Sequence, residues 1–184
     1  VVFASGNGSN AAKIMDYFNT RAASVVAVFC NNPKAKVLDK AAARNVSTFC
    51  FTRHEFYETD QVANKLLTIN PDLIVLAGFL LLIPQHLIKA FPNRIININP
   101  ALLPNYGGKG MYGDRVHEQV LKNEDKESGI TIHYVNENYD EGAVIFQKKT
   151  PLSVQETPKT VAEKVHKLEY EHFPKVIEKL LSPE

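Results

Sequence analysis

Five short runs, Val1–Ser5, Ser24–Cys30, Ser47–Phe51, Leu73–Ala77 and Ile95–Asn99, are almost wholly apolar. Continuous apolar runs of this length read as strands with both faces covered, because a strand half open to water alternates apolar and polar residues. Helical patterns fill the intervals, roughly Ser9–Asn19, Lys36–Arg44, His54–Thr68 and Pro84–Ala90. The alternation predicts an α/β fold: a Rossmann-like, mostly parallel sheet with helices on both faces.

The pattern changes after Asn99. A glycine-rich segment, Pro104–Gly113, leads into a predicted helix over Asp114–Lys122. Two further strand-like runs, Gly129–Val135 and Ala143–Lys149, flank the polar loop Asn136–Gly142. A last helix is expected to start near Pro158, with Thr157 as N-cap and proline at the first helical position. Val161, Val165 and Leu168 fall at i, i+4 and i+7, so one face should dock on the sheet. Pro174 is expected to bend or interrupt it. No repeat, linker or low-complexity tract divides the 184 residues, which suits one domain over residues 1–184.

Charge narrows the partners. Lys plus Arg number 21 and Asp plus Glu 20. That balance gives no field for wrapping nucleic acid or coating a membrane. No apolar run approaches the roughly 20 residues that span a bilayer. Val1–Ser5 has no basic residue before it and reads as a first strand, not a signal peptide. Cys30 and Cys50 sit singly in apolar runs, as buried free thiols of a reducing, cytoplasmic protein would.

The loop Ser5-Gly6-Asn7-Gly8-Ser9-Asn10 follows the first strand and opens the first helix. Glycines allow a tight turn there, and free N–H groups at the helix start favour an anion. Gly6–Ala11 formally matches the dinucleotide pattern G-x-G-x-x-A, which expects a carboxylate at the end of the second strand. That strand ends instead in Cys30-Asn31-Asn32. A phosphomonoester fits the loop better, and a glycine turn without a ligand is the plain alternative.

Asn97 and Asn99 share a face at the carboxyl end of the fifth predicted strand, where open α/β sheets hold ligands. Aligned amides there can hold a carbonyl oxygen, or they can simply close the strand before Pro100. Asp140 lies in the Asn136–Gly142 loop, as a turn-former or as a group that tunes proton transfer. His133 lies in a strand aimed at that loop, and His117 on the helix after the glycine-rich segment; either can serve chemistry. His54, His86 and His166 look like surface or helix residues. Glu169 and His172 share a helix face, but without further partners they make a weak metal pair, and no metal is expected.

Taken together, Ser5–Asn10, Ala77-Gly78-Phe79, Ile96–Pro104 and Asp140–Ile145 resemble the signature segments of the folate-dependent formyltransferases, in family order and over nearly the whole chain. The opening loop resembles the purine-biosynthetic branch or the formyltetrahydrofolate hydrolases. The hydrolases normally carry a regulatory domain before the catalytic one, and a chain that starts at the first strand is the form expected of a transferase. The resemblance implies the formyltransferase fold, 10-formyltetrahydrofolate as co-substrate with no permanently bound cofactor, and glycinamide ribonucleotide as acceptor. Gly8, Ser9 and Asn10 would then bind the substrate phosphate, and Glu169 would meet the substrate amine. Phe79, Leu80, Leu81, Leu82 and Ile83 would border the pterin, with Asn136, Glu137, Asn138 and Tyr139 closing over it. Asn97, Asn99 and Asp140 would be the catalytic positions, with His133 as support.

Two departures stand out against the family pattern. The usual arginine of the Phe79–Ile83 segment is Leu81. More consequential is the motif Asn-x-His-Pro, where this chain reads Asn97-Ile98-Asn99-Pro100. An asparagine amide can donate to a developing oxyanion, but it cannot carry a proton near neutral pH. The expectation is a formyltransferase with its binding apparatus intact and its chemistry slowed, or at the extreme a non-catalytic ligand-binding relative.

Overall fold

The computed structural model describes residues 1–108 and 110–182. In chain order the first half contains β1 (Val2–Phe3), α1 (Ser9–Phe18), β2 (Ala27–Cys30), α2 (Val37–Ala42), β3 (Ser47–Cys50), α3 (Arg53–Tyr57) and α4 (Gln61–Ile69). Then follow β4 (Ile74–Leu76), α5 (Gln85–Ala90), β5 (Ile95–Asn99), α6 (Asp114–Lys122), β6 (Glu127–Tyr134), β7 (Val144–Pro151) and α7 (Pro158–Leu181). The strands form one seven-stranded sheet in the order β3-β2-β1-β4-β5-β6-β7. The pairings from β3 through to β5 are parallel, and β6 and β7 join antiparallel.

Strand period sorts the side chains into two cores. Val2, Val28, Val75 and Ile96 face α1, α2 and α7, whose Ile14, Val37, Val161, Val165 and Phe173 cover them. Val1, Phe3, Phe29, Ile74 and Leu76 face the other way, under Phe56, Val62, Leu66 and Leu87 of α3, α4 and α5. Phe3, Phe29 and Phe56 are fully buried, each contributing about 1.5–3 kcal/mol by leaving water. One cross-strand row positions the site. Phe29, Phe3, Leu76, Asn97 and His133 are register neighbours in turn. The row is apolar through the parallel centre and becomes polar where the sheet turns antiparallel.

Four expectations need correction. The helix read over His54–Thr68 is two helices, because Thr52 and Glu55 form a capping box at α3 and Thr59 Oγ1 accepts from Gln61 N at the restart. Pro174 does not interrupt α7, which continues to Leu181. Burial of Phe173, Pro174 and Ile177 offsets the missing backbone bond, since tertiary packing supplies most of a helix's stability. β3 is an edge strand with exposed residues rather than a strand covered on both faces, and Cys50 within it is exposed while Cys30 is buried. Among the described residues no helix is long and apolar enough to cross a membrane.

Candidate active site

The sheet reverses its winding between β1 and β4, and a cleft of about 630 Å3 opens at the carboxyl ends of β1, β4 and β5. Ligand crevices of α/β sheets form at this point because the loops on either side leave to opposite faces. Ser5 N donates to the Gly78 carbonyl across the gap at 3.0 Å. Ser5 Oγ donates to Asn31 Oδ1 at 2.6 Å and accepts from Leu80 N at 3.0 Å. The Asn31 carbonyl oxygen is therefore engaged in holding the loop, at the place where a dinucleotide site would use a carboxylate.

Gly8 caps α1 in the left-handed region at φ 69°, with no side-chain cap on the helix start. The first-turn N–H groups of Ser9 and Asn10 thus remain available for an anion. A Cβ at Gly8 would lie 2.3 Å from Val37 Cγ2, so only glycine fits. Lys40 Nζ bonds the Asn7 carbonyl and Oδ1 at 2.8 and 2.9 Å, placing a cation beside the turn.

Beside this loop, α7 presents Glu169, which is only 4% exposed. Its Oε2 accepts from Asn10 Nδ2 at 2.9 Å and pairs with His166 Nδ1 at 2.8 Å. The Glu169 hydrogen bond raises the His166 pKa above its usual value, against the opposing effect of burial. His117, from α6, lines the same cleft with its Nδ1 buried and without a partner among the described residues. Burial lowers its pKa, and the nearby His166 lowers it further.

The second group forms where β5 meets β6. Asn97 Nδ2 lies 3.3 Å from His133 Nε2 and 3.5 Å from Asp140 Oδ1. Asp140 Oδ1 is itself 3.6 Å from His133 Nε2, and Gly108 N donates to its Oδ2 at 2.8 Å. Burial pushes the Asp140 carboxyl upward, but His133, the Gly108 N–H and the Asn99 amide together outweigh it and hold the carboxyl below its ordinary range. Asp140 sits at φ 58°, a left-handed conformation that Asp and Asn tolerate better than most residues. Asn99 is 4% exposed, with its Oδ1 buried and without a partner among the described residues.

The cleft thus gathers Asn97, Asn99, His133 and Asp140 with Gly8, Ser9, Asn10 and Glu169. It also takes in Phe79, Leu80, Leu81, Leu82, Ile83, Asn138 and Tyr139. Phe79 reaches it only in part, because its ring packs edge-on against Phe3 at 5.1 Å and Phe56 at 5.5 Å. Asn136 and Glu137 are not in the lining. Asn136 Oδ1 accepts from Asn138 N in a local turn, and Glu137 accepts from Gln85 on the exterior. Their side chains shape the loop instead of facing the cleft.

His166 is an exposed residue of α7, as expected, and it also borders the cleft through its pairing with Glu169. Its position three residues before Glu169 on one helix face was the available clue to that pairing. Glu169 and His172 do not act together, since the His172 ring packs against Phe146 at 5.1 Å. Among the described residues no three His, Cys, Asp or Glu side chains converge in a metal-holding group.

A family model described as formyl transferase matches residues 1–177. The chain belongs to the formyl transferase family. It is 36% identical over 186 residues to the phosphoribosylglycinamide formyltransferase of Bacillus subtilis, covering 98% of this chain and 93% of that protein. It is 36% identical over 183 residues to the chloroplastic phosphoribosylglycinamide formyltransferase of Arabidopsis thaliana, covering 96% of this chain and 63% of that protein. The crystal structure of phosphoribosylglycinamide formyltransferase from Bacillus halodurans superposes with a TM-score of 0.88 at 30% identity, over 98% of this chain and 94% of that one. The formyl transferase fold is therefore the Rossmann-like sheet described above, with its antiparallel β6 and β7 carrying His133 and the approach to Asp140.

Proposed function

We propose that this chain transfers a formyl group from 10-formyltetrahydrofolate to the amino group of glycinamide ribonucleotide, a step of purine biosynthesis. The observation that carries this reading is the meeting of an amide, an imidazole and a carboxylate, all within 3.6 Å, in the cleft that also holds the Gly8 turn and Glu169. The acceptor's phosphate sits on the N–H groups of Ser9 and Asn10, and its amine meets Glu169. The pterin lies along Leu80, Leu81 and Leu82, under Asn138 and Tyr139. Both are small-molecule substrates, and the folate leaves changed. Two free thiols, Cys30 and Cys50, suit the reducing cytoplasm in which we place the reaction.

The amine attacks the formyl carbon, and charge develops on the formyl oxygen. The Asn97 N–H that rests on Asp140 Oδ1 at a long 3.5 Å turns to the formyl oxygen and, with the Asn99 amide, donates to it. This lowers the barrier because the dipoles are already close to oriented. Asp140 is held ionised beside this point and stabilises a positive charge formed during proton transfer. Orientation of the two substrates in one cleft supplies much of the remaining acceleration.

Formyl release is measured with glycinamide ribonucleotide present and absent. Acceptor-dependent formylation is expected. Equal tetrahydrofolate formation in both arms makes the chain a hydrolase, and no turnover in either makes it a binding protein.

A further inference from the structure

Formyl transfer moves a proton from the attacking nitrogen to the departing one, and position 99 has no group to carry it. Asn99 presents an amide whose oxygen is buried and without a partner among the described residues. Asp140, held in its ionised form, is a weak base. The remaining group at this point is the imidazole of His133, which is 2% exposed and lines the cleft. Its Nδ1 faces the Tyr134 carbonyl at 2.8 Å. A carbonyl only accepts, so Nδ1 carries the hydrogen and Nε2 is left with its lone pair. That Nε2 is the atom facing Asn97 Nδ2 at 3.3 Å and Asp140 Oδ1 at 3.6 Å.

Resting on the formyl-transfer reading above, we propose that His133, backed by Asp140, carries the transferred proton in this chain in place of position 99. The amine lone pair forms the new C–N bond while the carbonyl π pair moves onto oxygen, which receives the Asn97 amide hydrogen bond. His133 Nε2 takes the proton released by the attacking nitrogen, and the imidazolium formed is paired with Asp140. As the carbonyl re-forms and the bond to the folate N10 breaks, Nε2 gives that proton to N10. The ring begins and ends neutral, and no further reactant is consumed.

The surroundings keep this assignment specific. β5 presents the neutral Asn97 to the ring, and β7 pairs with His133 at Val144. Gly142 packs against the Tyr134 carbonyl that faces Nδ1, so closely that a Cβ there would lie 1.7 Å from that oxygen. Asp140 is the charged group facing the ring among the described residues. The other imidazoles of the cleft, His117 and His166, are coupled to each other, Asp114 and Glu169.

Single-turnover transfer of labelled formyl group is measured for four proteins: the natural chain, His133→Asn, Asn99→His and the double variant. His133→Asn keeps a side-chain donor for the Tyr134 carbonyl and removes the Nε2 base. In the natural chain it is expected to slow transfer about 10²-fold or more and to abolish the imidazole limb of the pH–rate profile. With Asn99→His in place, the same change is expected to cost far less, and turnover by the double variant shows that the fold tolerates loss of the ring. Equal losses in the two backgrounds make His133 a structural residue and overturn the proposal, as does an unchanged rate for His133→Asn alone. If neither the natural chain nor Asn99→His formylates the acceptor, the formyl-transfer reading itself falls and the relay with it.

Discussion

Asn10 Nδ2 donates to Glu169 Oε2 at 2.9 Å, tying the first turn of α1 to the middle of α7 across 159 residues of sequence. The same carboxylate oxygen holds His166 Nδ1. One buried oxygen thus couples the first turn of α1, where we place the acceptor phosphate, to the His166 imidazole. Removing its charge disturbs both neighbours without creating a cavity.

Glu169→Gln is expected to raise KM for glycinamide ribonucleotide more than it lowers kcat, and to lower the His166 pKa. The sign follows from the raised value in the folded protein. Such a group contributes stability below the unfolded imidazole pKa of about 6.5, and that contribution is lost as pH rises through the folded value. The variant's deficit in melting temperature should therefore be largest near pH 5–6 and narrow toward pH 8. NMR titration of the His166 ring checks the shift directly, and an unchanged titration would remove Glu169 as its cause.

Asn99→His is expected to raise kcat by less than the full ~10²–10⁴-fold contribution of a positioned general acid or base, because His133 already carries part of that proton transfer in the natural chain. KM for both substrates should stay close to its natural value, because position 99 lies at the strand end and not in the anion turn or on the Leu80–Leu82 edge. Steady-state kinetics decide it. Equal rates would show that position 99 does not limit the chemistry.

The fold was legible because β1, β2, β4 and β5 are buried on both faces and so write themselves as apolar runs. β3 carries a similar run yet is an edge strand, and composition alone does not distinguish the two. Asn97, Asp140 and the Gly8 turn could be found because strand ends, polar loops and glycine turns have local signatures. The pairing of His166 with Glu169, and of Asn97 with His133, depends on which elements the sheet order brings together. Asn136 and Glu137 misled for the same reason: a polar loop can turn its side chains away from the cleft it borders. The break after Tyr57 was readable in principle, since Thr52 and Glu55 have capping-box spacing.

Gly8→Ala tests the turn. At φ 69°, with Val37 Cγ2 2.3 Å from the added carbon, overlap should cost about 1–3 kcal/mol and the left-handed backbone about 1–2 kcal/mol more. Gly6→Ala serves as the control, because a Cβ there meets nothing within 4 Å. Chemical denaturation should show Gly8→Ala clearly destabilised and Gly6→Ala within about 1 kcal/mol of the natural chain. Similar losses for both would mean that the turn has no special fit.

Asp140→Asn separates charge from shape. Asparagine tolerates the left-handed backbone at this position, and its carbonyl oxygen can still accept from Gly108 N. The natural carboxyl has a depressed pKa in the folded protein, so its contribution to stability is present above the unfolded value of about 3.9 and is lost as pH falls through the folded one. The variant should be less stable than the natural chain at pH 7, and the gap should close as pH drops below about 4. Its kcat is expected to fall by about 10²-fold or more, since an imidazolium at His133 would lose its counter-charge. Denaturant midpoints measured from pH 3 to pH 7 give the first answer and single-turnover rates the second. A stability gap that does not vary with pH would show that Asp140 holds the loop by hydrogen bonds alone, and a preserved rate would remove it from the chemistry.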